Sequence, residues 1–288
     1  VQDIELNVSD FYLNNAFNSM LSEKWMIKSG LAWNYDNQQF DLDNDQVETT
    51  EQMIQSKLCF SYLPNEQTEL KLGADWVHFS YEQNISMNGN FRLPFTNDQI
   101  SAFAELEYTL SKKLAARLGG RIENCSLNES TTLVPRFSGA YKTGKHSQIS
   151  LACGQFYQNP ENDYLKFAPT LAPEKASHAV MLWQYLTEQK TFRIESYLKK
   201  YSDLVKYNKT LATNPLDYSN SGSGHAEGID VFWRDKETLN LSDYWISYSW
   251  INARRNYKDY QESATPNFVS EHNLSIVYKR FIEPLRTY

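Results

Sequence analysis

The sequence predicts an all-β fold: an antiparallel up-and-down sheet of about thirteen strands, part of a larger transmembrane β-barrel. Three observations carry that prediction. Apolar and polar residues alternate with a period of two in segment after segment. Connections alternate between short and long. Aromatic residues gather toward segment ends in a chain of 288 residues with 19 Tyr, 15 Phe and 7 Trp.

In chain order, the alternation first shows at Trp25, Ile27, Leu31, Trp33 and Tyr35, and returns at Leu70, Leu72, Ala74 and Trp76. It is cleanest from Ile100 to Leu110. There Ile100, Ala102, Ala104, Leu106, Tyr108 and Leu110 share one face, and Ser101, Glu105, Glu107 and Thr109 share the other with a single apolar exception, Phe103. The next segment sets Leu114, Ala116, Leu118, Gly120 and Ile122 against Ala115, Arg117, Gly119, Arg121 and Glu123. Later segments show Phe192, Ile194 and Leu198; Ile229, Val231 and Trp233; Tyr244, Ile246, Tyr248 and Trp250; and Leu274, Ile276 and Tyr278. Many run to around ten residues, the length a tilted strand needs to cross a bilayer, whereas strands of soluble sheets average nearer five or six.

Short connections fall near residues 22–24, 64–67, 111–113, 143–146, 188–190 and 235–239, and long ones near 37–50, 83–98, 124–132, 159–176, 207–224 and 256–270. Outer-membrane barrels pair short periplasmic turns with long external loops, so this order predicts which end of each strand faces out of the cell. Trp25, Tyr35, Trp76, Tyr108, Trp233, Tyr244 and Trp250 fit the aromatic girdles at the two interfaces.

Composition agrees. Gly and Pro number only 11 and 9, which favours strands over disorder. Mean hydropathy is −0.60, as expected of strands that average an apolar and a polar face. Since the sequence has no run of about 18 apolar residues, a helical span is excluded and only a barrel could cross a bilayer. A net charge of −7 without a basic cluster argues against nucleic acid as a partner.

Few residues suggest chemistry. Cys59, Cys125 and Cys153 lie far apart, and His78, His146, His178, His225 and His272 show no paired spacing, so neither a zinc site nor any cofactor is expected. Asp41, Asp43 and Asp45 give a weak calcium-loop pattern, but Gln46 stands where that loop needs glycine and Gln52 where it needs glutamate. No nucleophile motif appears, and no catalytic residue is expected. Glu105, Glu107, Arg117, Arg121, Arg193 and Glu195 alternate with apolar neighbours and are expected to face the lumen as a lattice of ion pairs. Glycines in Ser221-Gly-Ser-Gly224 and at Gly228 allow the backbone to turn into a strand without a Cβ clash.

From about residue 130 onward the sequence resembles the barrel of TonB-dependent receptors, particularly the large receptors of Bacteroidetes-type bacteria. The resemblance lies in the order of Leu133-Val-Pro-Arg-Phe-Ser-Gly-Ala-Tyr141, Tyr157-Gln-Asn-Pro160, Asp163-Tyr-Leu165, Leu171-Ala-Pro-Glu-Lys-Ala-Ser-His178 and Phe192-Arg-Ile-Glu-Ser-Tyr197. It continues through Leu204-Val-Lys-Tyr207, Asn220-Ser-Gly-Ser-Gly-His-Ala-Glu-Gly-Ile-Asp230, Ser247-Tyr-Ser-Trp-Ile-Asn-Ala-Arg-Arg255 and Pro266-Asn-Phe-Val-Ser-Glu-His272.

The resemblance implies a bacterial outer-membrane receptor, bathed in outer-membrane lipid, that takes up a scarce nutrient through a plugged barrel of about 22 strands. An energy-transducing periplasmic partner would act through an N-terminal region. Residues 1–288 are then expected to be part of a single barrel domain without signal, plug or terminal strands, and 281–288 to lead into a further strand. The nutrient is not readable. The alternative is a soluble or secreted all-β carbohydrate-binding module whose exposed Tyr and Trp form the platform.

Overall fold

Thirteen strands pair in sequence order into one sheet, each antiparallel to the next. The structure, a computed structural model, describes residues 4–43, 45–87, 89–208 and 213–285. The strands are β1 (Ile4–Met20), β2 (Trp25–Leu42), β3 (Asp45–Asn65), β4 (Thr68–Ser86), β5 (Asn90–Ser111), β6 (Leu114–Cys125) and β7 (Ser130–Lys142). They continue with β8 (Ser147–Gln158), β9 (Glu174–Leu186), β10 (Lys190–Tyr207), β11 (Tyr218–Asp235), β12 (Ser242–Asn256) and β13 (His272–Arg280). Among the described residues β1 and β13 are the two edges. The described residues form this one sheet and not two sheets packed face to face. Past β13 the chain makes a short 3-10 turn at Glu283–Leu285; the further strand expected near the C-terminus falls largely on 286–288, which lie outside the described residues.

The short turns are built locally. Asn65 accepts from the Gln67 amide at 2.9 Å, Ser111 Oγ from the amides of Lys113 and Leu114, and Thr187 Oγ1 from that of Lys190. Asp235 accepts from the amides of Glu237 and Thr238, both at 2.8 Å. In each case a side-chain oxygen satisfies backbone donors that the turn would leave unpaired.

The opposite end differs from the sequence expectation. The described residues within 37–50 and 83–98 are not loops but continue the hairpins, with Leu42 paired to Asp45 and Ser86 to Asn90. Cross-strand side-chain bonds explain the persistence: Asn37 reaches Glu48 and Thr50, and Gln83 reaches Thr49. Residues 124–132 reduce to a tight turn between Cys125 and Ser130. The long irregular segments that remain include 159–173, carrying the one-turn helix α1 (Asn162–Leu165), and 257–271.

Pairing partners share a face, so the ladders sort every side chain. One face carries the exposed apolar set, including Leu31, Trp33, Leu72, Ile100, Leu106, Leu118, Ile122, Leu198, Leu274 and Ile276. Aromatic groups bracket this band. Trp25 stacks on Tyr62, and Trp183, Phe192 and Trp233 form an edge-to-face row, near the short turns. Trp33, Trp76 and Trp250 lie toward the other end. A sheet with its apolar side chains exposed in this way has its driving force supplied by lipid rather than by an internal core.

Curvature shows on the other face. A single buried cluster joins Tyr81 of β4 and Phe95 of β5 to Val205 of β10 through Leu165, Ala168 and Leu171 of the 159–173 segment. Strands stand about 4.8 Å apart, so β5 and β10 meet one short segment only if the sheet curls toward it. The cluster therefore marks the inside of the barrel wall. A bulge between Ser202 and Leu204, with Asp203 at φ 60°, brings Val205 into it.

Candidate functional site: the inner wall

The inner face divides into two chemical sectors. In the first, on β3 to β6, acids and bases are matched. Arg121 donates to both oxygens of Asp75, with Nη2 at 2.7 Å from Oδ2, and also pairs with Glu123. Ser101 Oγ donates to Asp75 Oδ2 at 2.7 Å. The Asp75 side chain is 6% exposed and that of Arg121 21%, so this pair is the buried heart of the sector. Nearer the short turns, Arg117 pairs with Glu107 and stands 3.5 Å from Glu105, while Lys71 bridges Glu69 at 3.2 Å and Glu105 at 3.7 Å. These partly exposed pairs add little stability each, but they hold the wall's charges in register.

Phe103, the apolar exception on this face, has a structural reason. Its ring covers Gly73, where a Cβ would lie 2.4 Å from Phe103 Cζ, and Lys57 Nζ stands 5.6 Å from the ring centre. Tyr197 covers Gly228 in the same manner, and a Cβ at Gly228 would also meet the Trp250 carbonyl at 2.6 Å. Gly228→Ala is accordingly expected to destabilise the wall by about 1–3 kcal/mol, with partial recovery in Gly228→Ala/Tyr197→Ala. Urea unfolding from lipid vesicles measures both; an unchanged midpoint for Gly228→Ala would contradict the close approach.

The second sector, on β7 to β12, holds several cations against rings, while nearer the short turns Arg234 of β11 pairs with Asp243 of β12 at 2.6 Å. Arg136 lies 4.8 Å from the Phe156 ring centre, Lys199 4.9 Å from Tyr197, and Arg255 4.5 Å from Tyr201. His178 sits between Phe156 and Tyr201, with Nε2 buried and unpartnered. Between the sectors lies a depression of about 390 Å³ floored by small residues such as Ala115, Ser138, Ser150 and Ala152, with Glu107, Arg117 and Glu195 on its rim.

Four of the six expected lumen residues, Glu105, Glu107, Arg117 and Arg121, thus come together in the first sector. Arg193 and Glu195 face inward too, but among the described residues neither forms an ion pair. The expected lattice does not extend to them. Register explains it: Arg193 lies opposite Gln184 and Phe232, and Glu195 opposite Leu182 and Asp230, so neither meets an opposite charge. Asp41 and Asp45 stand on opposite strands of a hairpin with Asp43 near its tip, and the amides of Gln39 and Gln46 donate to Asp41. Among the described residues no three metal-ligating side chains are grouped. Sequence reasoning missed Asp75, Arg136, Lys199 and Arg255.

It also missed the strap. The sequence reading sends 159–176 outward, yet 159–173 folds across the inner face. Asn162 donates to Glu51 of β3 and Lys166 to Gln83 of β4. On the far side Asn220 of β11 exchanges two hydrogen bonds with Ala172, and Glu174 accepts from the Val205 amide. Burial pushes the Tyr164 phenol above its ordinary range, helped by the nearby Glu161, and keeps it neutral. Leu165, 4% exposed, is the anchor. Leu165→Ala is expected to cost the strap about 2–5 kcal/mol, read as faster proteolytic cleavage within 159–173; unchanged cleavage would contradict its docking.

The wall has counterparts among known proteins. It superposes on the outer membrane transporter YddB from Escherichia coli with a TM-score of 0.74 at 10% identity, over 88% of this chain and 43% of that one. The FrpB iron transporter from Neisseria meningitidis gives 0.74 at 14%, over 95% and 48%. The ferric yersiniabactin uptake receptor FyuA from Yersinia pestis gives 0.69 at 12%, over 97% and 48%. The chain thus spans less than half the length of these three proteins, and at such identities the likeness is one of fold. Among curated proteins none matches the sequence significantly. Residues 3–286 match the family described as TonB dependent receptor-like, beta-barrel. With nearly its whole length matched, this chain belongs to the TonB-dependent receptor β-barrel family of the bacterial outer membrane.

Proposed function

We propose that the chain forms the wall and external loops of a receptor that takes up a scarce nutrient through a plugged barrel. Uptake is energised by a periplasmic partner that engages the protein outside residues 1–288. The observation that carries this reading is the two-faced wall: an apolar face for lipid, and an inner face lined with matched charges and ring-held cations and bridged by a strap. The matched sector, including Glu105, Glu107, Arg117 and Arg121, keeps the wall rigid while a plug moves against it. Arg193 and Glu195, unpaired on the same face, remain free to contact plug or ligand. The strap narrows the external mouth. Solved proteins of similar fold are named for copper, iron or peptide transport, so the panel of nutrients to test is broad.

The test is uptake in a strain lacking the gene, with and without the full-length gene restored. Loss of uptake of one nutrient, regained on complementation and abolished when the proton gradient is collapsed, is the expected result. Uptake indifferent to the gradient would overturn energy coupling. Residues 1–288 expressed alone are expected to restore none, since their two sheet edges leave backbone groups unpaired; restored uptake would contradict this.

A further inference from the structure

The lipid-facing side of the wall carries one feature that the uptake reading does not use. Lys200 of β10 pairs in register with His225 of β11, and His225 with Arg254 of β12. Leu198, Ile229 and Trp250 fix this parity as the outward one, since they alternate with the three residues on their strands and belong to the apolar face. All three basic side chains are exposed, and none forms a hydrogen bond or ion pair among the described residues. Arg254 and Trp250 are four residues apart, about 13 Å along the strand on the side of the long loops. The row therefore stands just beyond the apolar band, where a bilayer presents its headgroups.

Among the described residues no carboxylate bonds any of the three side chains. The carboxylates nearest in register are Glu227, which accepts from Asn252 at 3.0 Å, and Asp203, which accepts from Ser202 at 3.2 Å. Lys175, outward on β9 one row higher, adds a further cation, resting 5.7 Å from the Tyr157 ring centre. On β2 to β5 the outward row equally placed relative to Trp76 is Tyr35, Gln52, Ser80 and Thr96, with no charge at all. The basic row is thus local to one side of the wall. Adjacent strands lie about 4.8 Å apart, so three neighbours span about 10 Å, a width that suits a headgroup bearing more than one phosphate.

We propose that Lys200, His225 and Arg254 form a seat for the phosphates of an outer-leaflet lipid headgroup, fixing this side of the wall in the membrane. The inference rests on the membrane orientation given above. Lys200 and Arg254 supply charge, and His225 supplies a ring N–H donor between them. Below the row Leu198 stands beside Glu227 and Asn252, and one row further Ile229 and Trp250 open the apolar band that receives the acyl chains.

The test uses the full-length protein purified in a non-ionic detergent at pH 7 and titrated with a bisphosphorylated, acylated disaccharide lipid, with phosphatidylcholine in parallel. Lys200→Gln/His225→Gln/Arg254→Gln is expected to weaken binding of the phosphorylated lipid at least about tenfold. Lys200→Arg/Arg254→Lys should retain it, and phosphatidylcholine should bind all three proteins alike. Equal binding of the phosphorylated lipid by the native protein and the triple glutamine variant would overturn the proposal. So would displacement of that lipid by inorganic phosphate at an equal concentration, which would mark a free-anion site. Failure of the native protein to hold either lipid would instead overturn the membrane orientation beneath it.

Discussion

Leu118→Arg is expected to cost about 3 kcal/mol of stability in a bilayer, although Leu118 is 63% exposed and touches no core. Lipid is the reason. Leu118 lies on the outward face in register with Leu106 and Phe137, within the apolar band, and a guanidinium there must leave water. On a soluble sheet the same change at an exposed position would fall within about 0.5 kcal/mol of zero. Thr109→Arg, on the inner face of β5 opposite Ala115, serves as the control and should be near neutral. Unfolding of the three proteins by urea from lipid vesicles separates the two accounts, because only a lipid-facing Leu118 makes the first substitution far worse than the second.

The second large effect concerns Arg121. Arg121→Met strands the Asp75 carboxylate, nearly out of solvent, with Ser101 as its remaining donor. A cost of about 3 kcal/mol is expected, at the lower end for a buried pair because Arg121 retains some access to lumenal water. Arg121→Met/Asp75→Asn should regain most of the loss, since the stranded charge rather than the missing contact dominates. The cycle of single and double variants measures the coupling; strict additivity would show that the pair does not act as a unit.

The faces were legible in the sequence because strand periodicity is local. From Ile100 to Leu110 every outward and inward assignment follows from alternation alone, and the short turns announce themselves through Asn65, Ser111, Thr187 and Asp235. Strand ends were less legible. Around Asp41 to Asp45 and Gln83 to Asp98 the outward side no longer meets lipid, so alternation fades and polar residues imitate a loop while pairing continues.

Partnerships were the least legible. Arg121 and Asp75 are 46 residues apart, and only the register of β4, β5 and β6 brings them together. Arg193 and Glu195 invited pairing by their spacing, yet their cross-strand neighbours are uncharged or acidic. The strap depends on curvature, a property of the whole sheet. Its anchors Leu165, Leu171, Glu174 and Asn220 nevertheless fall within the runs that carried the family resemblance, so a signal existed without its geometric meaning.

The central claim is that one face of every strand meets lipid and the other meets water. Single cysteines placed along β5 from residue 100 to 110, in a full-length protein with Cys59, Cys125 and Cys153 changed to Ser and reconstituted in bilayers, test it most directly. Probes at 100, 102, 104 and 106 should be quenched by lipid-borne quencher and resist a water-soluble maleimide, and those at 105, 107 and 109 should do the reverse. Uniform labelling along the strand, or quenching without a period of two, would contradict the account.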